Sequence, residues 1–185
     1  MSQSELQQAK EEHASVVQET VYKGKIITVR KDIYSFKGEE PYRCDLVLHP
    51  GAVAILPIAS DGSLLLIRQW RRAAGHILIE VPAGTLEKGE DAAECAAREL
   101  REETGYKAAD LSFVGSFFSA PGFCNELLHF FIARDLRASP LPPDAHEAID
   151  LFPVTLNQAL ELIDHGKIID AKTIIAILQF ARKQG

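Results

Sequence analysis

The sequence predicts an α/β fold in which a mixed β-sheet lies between helices. Segments with strand-like and helix-like patterns follow one another irregularly along the chain, which is typical of a mixed sheet. The 185 residues fit one ordinary domain, and 46% of them are hydrophobic, enough to bury a single core. We therefore expect residues 20–185 to form one domain, preceded by an N-terminal arm or helix over residues 1–19.

The strands are predicted from alternation and from short apolar runs. Apolar and polar residues alternate from Thr20 to Phe36, the period of a β-strand. Two apolar runs flank Asp61-Gly62, a dipeptide that favours a hairpin. The other predicted strands are Tyr42–His49, Gly51–Ala59, Ser63–Trp70, His76–Val81, Leu111–Phe118, Glu126–Arg134 and Ile149–Val154.

Three helices are predicted from composition and from their end signals. The stretch Asp91–Thr104 is rich in Ala, Glu, Arg and Leu, and Gly105 follows it as a helix-ending glycine. Two more helices are expected near Leu156–Asp164 and over Asp170–Lys183, the latter with Asp170 as its N-cap. Ser139–Ala148 holds three prolines and two acids, which predicts a loop.

Charge and cysteine usage limit the classes of partner. The 26 acidic residues outnumber the 20 basic ones, for a formal charge of -6, and no cluster of Lys and Arg indicates a nucleic-acid partner. Cys44, Cys95 and Cys124 are widely spaced, so neither a zinc site nor a disulfide framework is implied. A reducing compartment follows. Without an apolar signal-like or membrane-length run, we expect a cytoplasmic protein with no membrane partner.

Three glutamates are crowded on one face of the central predicted helix. Glu99, Glu102 and Glu103 stand at i, i+3 and i+4, so their carboxylates project from one turn and repel one another. Taken alone, such a charged helix is more often a solvated surface. The cluster would also make sense if a divalent cation neutralised it, since Mg²⁺ takes oxygen ligands and shares its coordination with substrate phosphates.

The wider segment GTLEKGEDAAECAARELREETGY, residues 84–106, decides between these interpretations. Its eight defined residues resemble the Nudix box, G-x5-E-x7-R-E-U-x-E-E-x-G-U. Chance agreement anywhere in this chain is below about one in a million at ordinary residue frequencies. Tyr106 departs from the pattern, because it stands where the strict form has a bulky aliphatic residue.

The resemblance implies a fold, a cofactor and residue roles. Nudix hydrolases are α/β/α sandwiches around a mixed sheet, and they cleave nucleoside diphosphates linked to another group. The glutamates would then bind Mg²⁺ (or Mn²⁺) together with the backbone carbonyl of Ala83, and Gly84 would supply the turn that lets this carbonyl approach. The residues implied as metal ligands are Ala83, Glu99, Glu102 and Glu103, and those implied as structural are Gly84, Glu90, Arg98 and Gly105.

A second resemblance, to the ADP-ribose pyrophosphatase subfamily, narrows the substrate. The stretch LIRQWRRAAGHILIEVPAGTLEKGE and the later GKIIDAKTIIA are both similar to that subfamily. Its marker is a proline sixteen residues after the last glycine of the box, here Pro121. The resemblance implies hydrolysis of ADP-ribose, or a related ADP-sugar, to AMP and ribose 5-phosphate. It also implies that Arg71 contacts the diphosphate, where a guanidinium suits phosphate oxygens.

The resemblance leaves the group that activates water open between two residues. Glu147, on an acidic loop, is the first candidate for the general base, and Glu126 is the second. Glu102 is assigned a catalytic role beside its role as a metal ligand. Relatives of this kind are usually homodimers whose N-terminal strands cross to the partner, so we expect a homodimer.

Two other functions remain open at this point. Another nucleotide sugar, such as GDP-mannose, could replace ADP-ribose on the same fold. A nucleotide-sensing module without catalysis is the other alternative, but such modules usually have degraded glutamates, and all of them are present here.

Overall fold

The computed structural model describes residues 1–142 and 148–184. The chain forms two compact units, which are described separately below. The first comprises Met1–Pro50 and Ala120–Glu126, and the second comprises Gly51–Ser119 and the described part of Leu127–Gly185. The expected boundary between residues 19 and 20 stays a prediction.

The first unit is built on a three-stranded antiparallel sheet. Helix α1 (Gln3–Glu12) precedes strands β1 (Ser15–Lys23), β2 (Thr28–Ser35) and β3 (Tyr42–Leu48), which pair in the order β1-β2-β3. A capping box formed by Ser2 and Glu5 starts α1, because each side chain accepts from the other residue's backbone N–H.

The single strand predicted over Thr20–Phe36 is wrong. The chain turns at Gly24, whose backbone N–H donates to the carbonyl of Ile27 at 2.9 Å. The segment therefore contains the end of β1 and all of β2, paired as a hairpin. Both strands of the hairpin alternate apolar and polar residues with the same period. The alternation therefore continues across the turn, and the sequence pattern does not show where the turn lies.

The described residues of the second unit form two sheets and three helices. One sheet has the strand order β7-β4-β9-β8 and the other β10-β5-β6. Strands β4 and β9 run parallel, whereas β7 and β8 are antiparallel to their neighbours, so the four-stranded sheet is mixed. The elements are β4 (Ala52–Pro57), β5 (Leu64–Arg71), β6 (His76–Glu80), β7 (Ala83–Thr85), α2 (Ala92–Thr104), β8 (Tyr106–Phe118), β9 (Leu127–Ala138), β10 (Ile149–Val154), α3 (Leu156–Asp164) and α4 (Ala171–Ala181).

The core of this unit lies on both faces of strand β4, all of whose residues are buried. On one face Val53 and Ile55 pack with Leu100 of helix α2. On the other face Ala54 and Leu56 join a larger cluster that includes side chains of β5, β9, α3 and α4. A strand covered on both faces reads as a continuous apolar run, as the segment 51–59 does.

Helix positions agree closely with the sequence, and strand extents agree less well. Asp91, Thr155 and Asp170 are N-caps whose side chains accept backbone N–H bonds. Strands β8 and β9 are longer than predicted, and the three-residue strand β7 was not predicted. Among the described residues, no helix is both long and apolar enough to cross a membrane.

Candidate active site

Helix α2 presents the glutamates from a firmly held position. Asp91 caps its first turn by accepting from the backbone N–H groups of Ala93 and Glu94, and Gly105 ends it in the left-handed conformation at φ 78°. The fully buried Cys95, Ala96 and Leu100 form its inner face. Glu99 and Glu103 lie on the same side of the helix as Cys95 and Ala96. Their side chains are accordingly little exposed, 12% for Glu99, and Glu103 is buried.

Arg98 connects three of the four glutamates that the box pattern defines. Its Nε and Nη2 atoms donate to the two oxygens of Glu90 at 2.9 and 3.1 Å. Its Nη1 atom donates to Glu99 at 2.7 Å and to Glu102 at 2.9 Å. A guanidinium has a planar fork of donors that matches a carboxylate, so one side chain can hold all three. Arg98 thus relieves the repulsion within the cluster without fully neutralising it.

This arrangement shifts the pKa values of both partners in the strongest pair. The hydrogen bonds from Arg98 lower the pKa of Glu90 from its ordinary 4.5 to about 2, against the opposing effect of burial. Hydrogen bonds to Glu90 raise the pKa of Arg98 above its ordinary range. Burial raises the pKa of the neighbouring Cys95 thiol to about 12, so this thiol stays protonated. The ion pair therefore persists across the physiological pH range.

Glu103 and Ala83 are brought together by a hydrogen bond. The backbone N–H of Ala83 donates to Oε2 of Glu103 at 2.9 Å, and Glu103 is itself buried. The bond joins the start of β7 to the last turn of α2. The structure therefore places next to each other two of the residues that the sequence assigned to one metal site.

Gly84 lies in strand β7, where it pairs with Val53. It is not in the turn that the resemblance implies. Its importance is steric, because a Cβ atom at this position would stand 1.9 Å from the Cδ and Oε1 atoms of Glu99. Real Cβ atoms do not approach other atoms so closely. Glycine is thus the residue that lets the Glu99 carboxylate lie against the strand.

The box has the donor chemistry of a divalent-cation site. Glu99, Glu102 and Glu103 offer hard carboxylate oxygens, the ligands that Mg²⁺ prefers. In residues 1–142 and 148–184, no group of three or more His, Cys, Asp or Glu side chains is already arranged to hold a metal ion. Arg98 Nη1 bonds with Glu99 and Glu102 instead, so a cation would compete with this guanidinium for both carboxylates.

Arg71 lies at the end of β5 and is held by a buried acid. Its Nε and Nη2 atoms donate to the two oxygens of Glu80 at 2.8 Å each. Glu80 is fully buried and also pairs with Lys172 of α4. Neither Glu80 nor Lys172 is predicted from the sequence, although a lone glutamate between the apolar Ile79 and Val81 is a signal for a buried charge.

Two of the predicted residues belong to the first unit, and a third is outside the described residues. Pro121 is exposed in a turn of the first unit, where the backbone N–H groups of Phe123 and Cys124 donate to the carbonyl of Ala120. Glu126, also in the first unit, lies 3.7 Å from Nδ1 of His49. Glu147, the first candidate for the general base, lies outside the described residues.

Comparison with known proteins places these features in context. A family model described as the NUDIX domain matches residues 48–174. ADP-ribose pyrophosphatase from Bacillus subtilis (strain 168) is 34% identical over 175 residues, covering 94% of this chain and 95% of that protein. Methanol dehydrogenase activator from Bacillus methanolicus is 34% identical over 168 residues, covering 90% and 91%.

Two further similarities bear on substrate and fold. GDP-mannose pyrophosphatase from Shigella flexneri serotype 5b (strain 8401) is 35% identical over 136 residues, covering 69% of this chain and 71% of that protein. The crystal structure of an ADP compounds hydrolase superposes with a TM-score of 0.81 at 26% identity, covering 93% of this chain and 96% of that one. The family resemblance and the predicted α/β fold are confirmed.

Gly84→Ala is expected to destabilise the protein, because the new Cβ atom would occupy the position of the Glu99 carboxylate. Overpacking of this kind costs about 1–3 kcal/mol in the free energy of unfolding, measured by urea denaturation. Gly115→Ala is the matched control, since Gly115 also lies in a strand and no atom comes within 4 Å of its added Cβ. Equal stabilities for the two variants would contradict the steric role of Gly84.

The Glu90–Arg98 pair predicts a specific dependence of stability on pH. Because folding depresses the pKa of Glu90 to about 2, the pair stabilises the fold above the ordinary value of 4.5 and this contribution is lost as pH falls toward 2. Glu90→Gln should be less stable than the natural chain by about 1–3 kcal/mol at neutral pH. The difference should shrink through this acid window in urea denaturation. A difference that stays constant down to about pH 2 would contradict the assignment.

Proposed function

Because this chain belongs to the family of NUDIX domains, we propose that it hydrolyses the pyrophosphate bond of ADP-ribose, or of a related ADP-sugar, to AMP and ribose 5-phosphate. The observation that carries this proposal is the similarity to an ADP-ribose pyrophosphatase along nearly the whole of both chains. The carboxylate cluster on α2 and the arginine at the end of β5 provide chemistry suited to a diphosphate substrate.

A divalent cation, Mg²⁺ or Mn²⁺, is part of the proposal. Glu99, Glu102 and Glu103 would hold it with the carbonyl of Ala83, the residue whose N–H already bonds to Glu103. When bound, the cation supplies charge neutralisation and Lewis acidity at the pyrophosphate. The acidic cluster and the net charge of -6 would otherwise repel the substrate.

The remaining steps belong to residues of the chain. Arg71 binds phosphate oxygens of the diphosphate and positions them for attack. Glu147 removes the proton from the attacking water, with Glu126 as the second candidate for this base. Glu102 acts beside them as a catalytic residue. Pro121 contributes to the substrate site. The electron pair of the water oxygen forms the new P–O bond while the bond to the bridging oxygen breaks, leaving one phosphate on each product.

GDP-mannose is the second candidate substrate, and it is favoured by the similarity to a GDP-mannose pyrophosphatase. That similarity covers 69% of this chain, whereas the similarity to the ADP-ribose enzyme covers 94%. The wider coverage includes part of the first unit, so we rank ADP-ribose first. A nucleotide-sensing module without catalysis ranks last, because every glutamate of the box is present.

A homodimer and a cytoplasmic location complete the proposal. Strand β1 is an edge strand of its sheet, and all nine of its residues are exposed. Val17, Val21 and Tyr22 are each more than half exposed on it, an apolar edge that natural proteins usually cover. A second copy of the chain would cover it. The three free cysteines are compatible with a reducing compartment.

The proposed activity is tested with a substrate panel of ADP-ribose, GDP-mannose, UDP-glucose and dinucleoside polyphosphates, incubated with Mg²⁺ and analysed by mass spectrometry. We expect preferential conversion of ADP-ribose to AMP and ribose 5-phosphate. Preference for another nucleotide sugar would change the proposed substrate but leave the assignment as a hydrolase intact. No cleavage of any compound with Mg²⁺ or Mn²⁺ would favour the sensing module.

Glu103→Gln is expected to lower kcat by on the order of 100-fold, the size of losing one group that stabilises charge in the transition state. Glutamine keeps an oxygen that accepts from the N–H of Ala83, so the fold should be preserved, as circular dichroism would check. Glu94→Gln, an exposed residue of the same helix, is the matched control. Near-natural turnover by Glu103→Gln would overturn the metal assignment.

The homodimer predicts a sedimenting mass of twice 20.4 kDa at micromolar concentration. Val17→Glu places a charge on the exposed apolar edge and should give monomers. Glu19→Gln, on the same strand, removes a charge without disturbing an apolar side chain and should leave the dimer intact. A monomer of the natural chain would refute the dimer.

A further inference from the structure

The second unit contains a charged network of which the proposed reaction uses only Arg71. Its centre is Glu80, a fully buried carboxylate at the end of β6. Arg71 binds it through Nε and Nη2, and Lys172 binds it from helix α4. Burying a carboxylate costs free energy unless the carboxylate is paired with a cation. Glu80 is paired with two, so its charge is compensated although it is buried.

Lys172 is itself held in place by the first turn of α4. Asp170, the N-cap, lies 3.0 Å from Nζ of Lys172 and accepts from the backbone N–H of Thr173 at 2.9 Å. The hydroxyl of Thr173 accepts from the backbone N–H of Val81 at 2.8 Å. Val81, which follows Glu80, is thereby hydrogen-bonded to the helix that carries Lys172. This bond and the contact with Asp170 together fix the position of Lys172 relative to Glu80.

Four charged side chains among the described residues form this network. Glu80 and Asp170 carry two negative charges, and Arg71 and Lys172 carry two positive ones. Burial raises the pKa of Glu80, but the hydrogen bond from Arg71 and the charge of Lys172 together outweigh it and hold this pKa below 4.5. Glu80 therefore stays ionised. Replacing Lys172 by a neutral side chain would remove one positive charge from beside Glu80, which would weaken the attraction of the adjacent Arg71 for an anion.

We propose that Lys172 is a positioning residue, which acts on Arg71 through Glu80. It fixes the orientation of the Arg71 guanidinium and preserves the positive charge that this guanidinium presents to the diphosphate of the substrate. The proposal rests on the proposed function, in which Arg71 binds that diphosphate. The two bonds from Nε and Nη2 to one carboxylate fix the plane of the guanidinium. Lys172 holds the same carboxylate. When this lysine is lost, the side chain of Glu80 can move, and the guanidinium of Arg71 moves with it.

The kinetic test replaces Lys172 by Met, which keeps the length of the side chain and removes its charge. We expect KM for ADP-ribose to rise about tenfold while kcat changes less than about twofold, the pattern of lost uniform binding. Lys172→Arg restores the cation and should recover most of the affinity. Lys167→Met, at an exposed lysine five positions earlier, is the matched control and should have no effect. Should the Met variant fail to fold, Lys172→Gln takes its place.

A double-mutant cycle separates positioning from a general loss of structure. In an Arg71→Ala background, Lys172→Met should change KM no further, because the residue through which Lys172 acts is gone. The same tenfold rise in both backgrounds would overturn the proposal, since it would show that Lys172 acts independently of Arg71.

A measurement without substrate distinguishes failure of this proposal from failure of the proposed function. Exchange of the Arg71 Nε–H with solvent is followed by NMR in protein carrying ¹⁵N-arginine, with the signal assigned by its absence in Arg71→Ala. We expect slow exchange in the natural chain and in Lys167→Met, and faster exchange in Lys172→Met. Unchanged exchange in Lys172→Met would overturn the positioning role. No cleavage or binding of any nucleotide sugar by the natural chain would refute the proposed function and leave the exchange test valid.

Discussion

Repulsion among carboxylates is the constraint on which the organisation of helix α2 depends. Arg98 binds three of the four glutamates that the box pattern defines. The fourth, Glu103, is buried against the backbone of Ala83. A helix could not hold these charges on one face without such partners, since like charges at this spacing destabilise it. The remaining negative charge is what the proposed cation would neutralise.

Arg98 and Arg71 have different surroundings in this unit. Arg98 is enclosed by acids of its own segment and holds them in place. Arg71 binds Glu80, whose charge is shared with Lys172, and its side chain remains 36% exposed. In the proposed function Arg98 is a structural residue and Arg71 binds the substrate.

Much of the site was predictable because its spacing is local. The i, i+3, i+4 pattern of Glu99, Glu102 and Glu103 defines one helix face from sequence alone, and Asp91 and Gly105 mark the ends of that helix. Contacts between distant segments were not predictable. Nothing in the sequence indicates that Gly84 faces Glu99, or that Glu80 pairs with Lys172, 92 residues away. Such contacts depend on how the strands and helices pack.

The fold shows the same division between local and distant information. Helices carry capping residues that a sequence displays, and α2, α3 and α4 lie within two residues of their predicted positions. Strand ends are determined by pairing partners. Strands β8 and β9 extend beyond their apolar segments because each continues to pair with the other as far as Tyr106 and Ala138. The turn at Gly24 was missed because one glycine within a continuous alternation is a weak signal.

The parallel pairing of β4 with β9 has a consequence for how the chain acquires its structure. Ala52 lies opposite Leu128, and the hairpins and helix α2 occupy the sequence between them. Closing so long a loop costs entropy before the pair gains any contact, so this central ladder forms late relative to the local hairpin of β5 and β6. During synthesis, a nascent chain that has emerged only as far as Phe118 has no β9 to place beside β4. Until then the apolar residues of β4 lack one neighbouring strand, and this is the interval in which a chaperone would find them exposed.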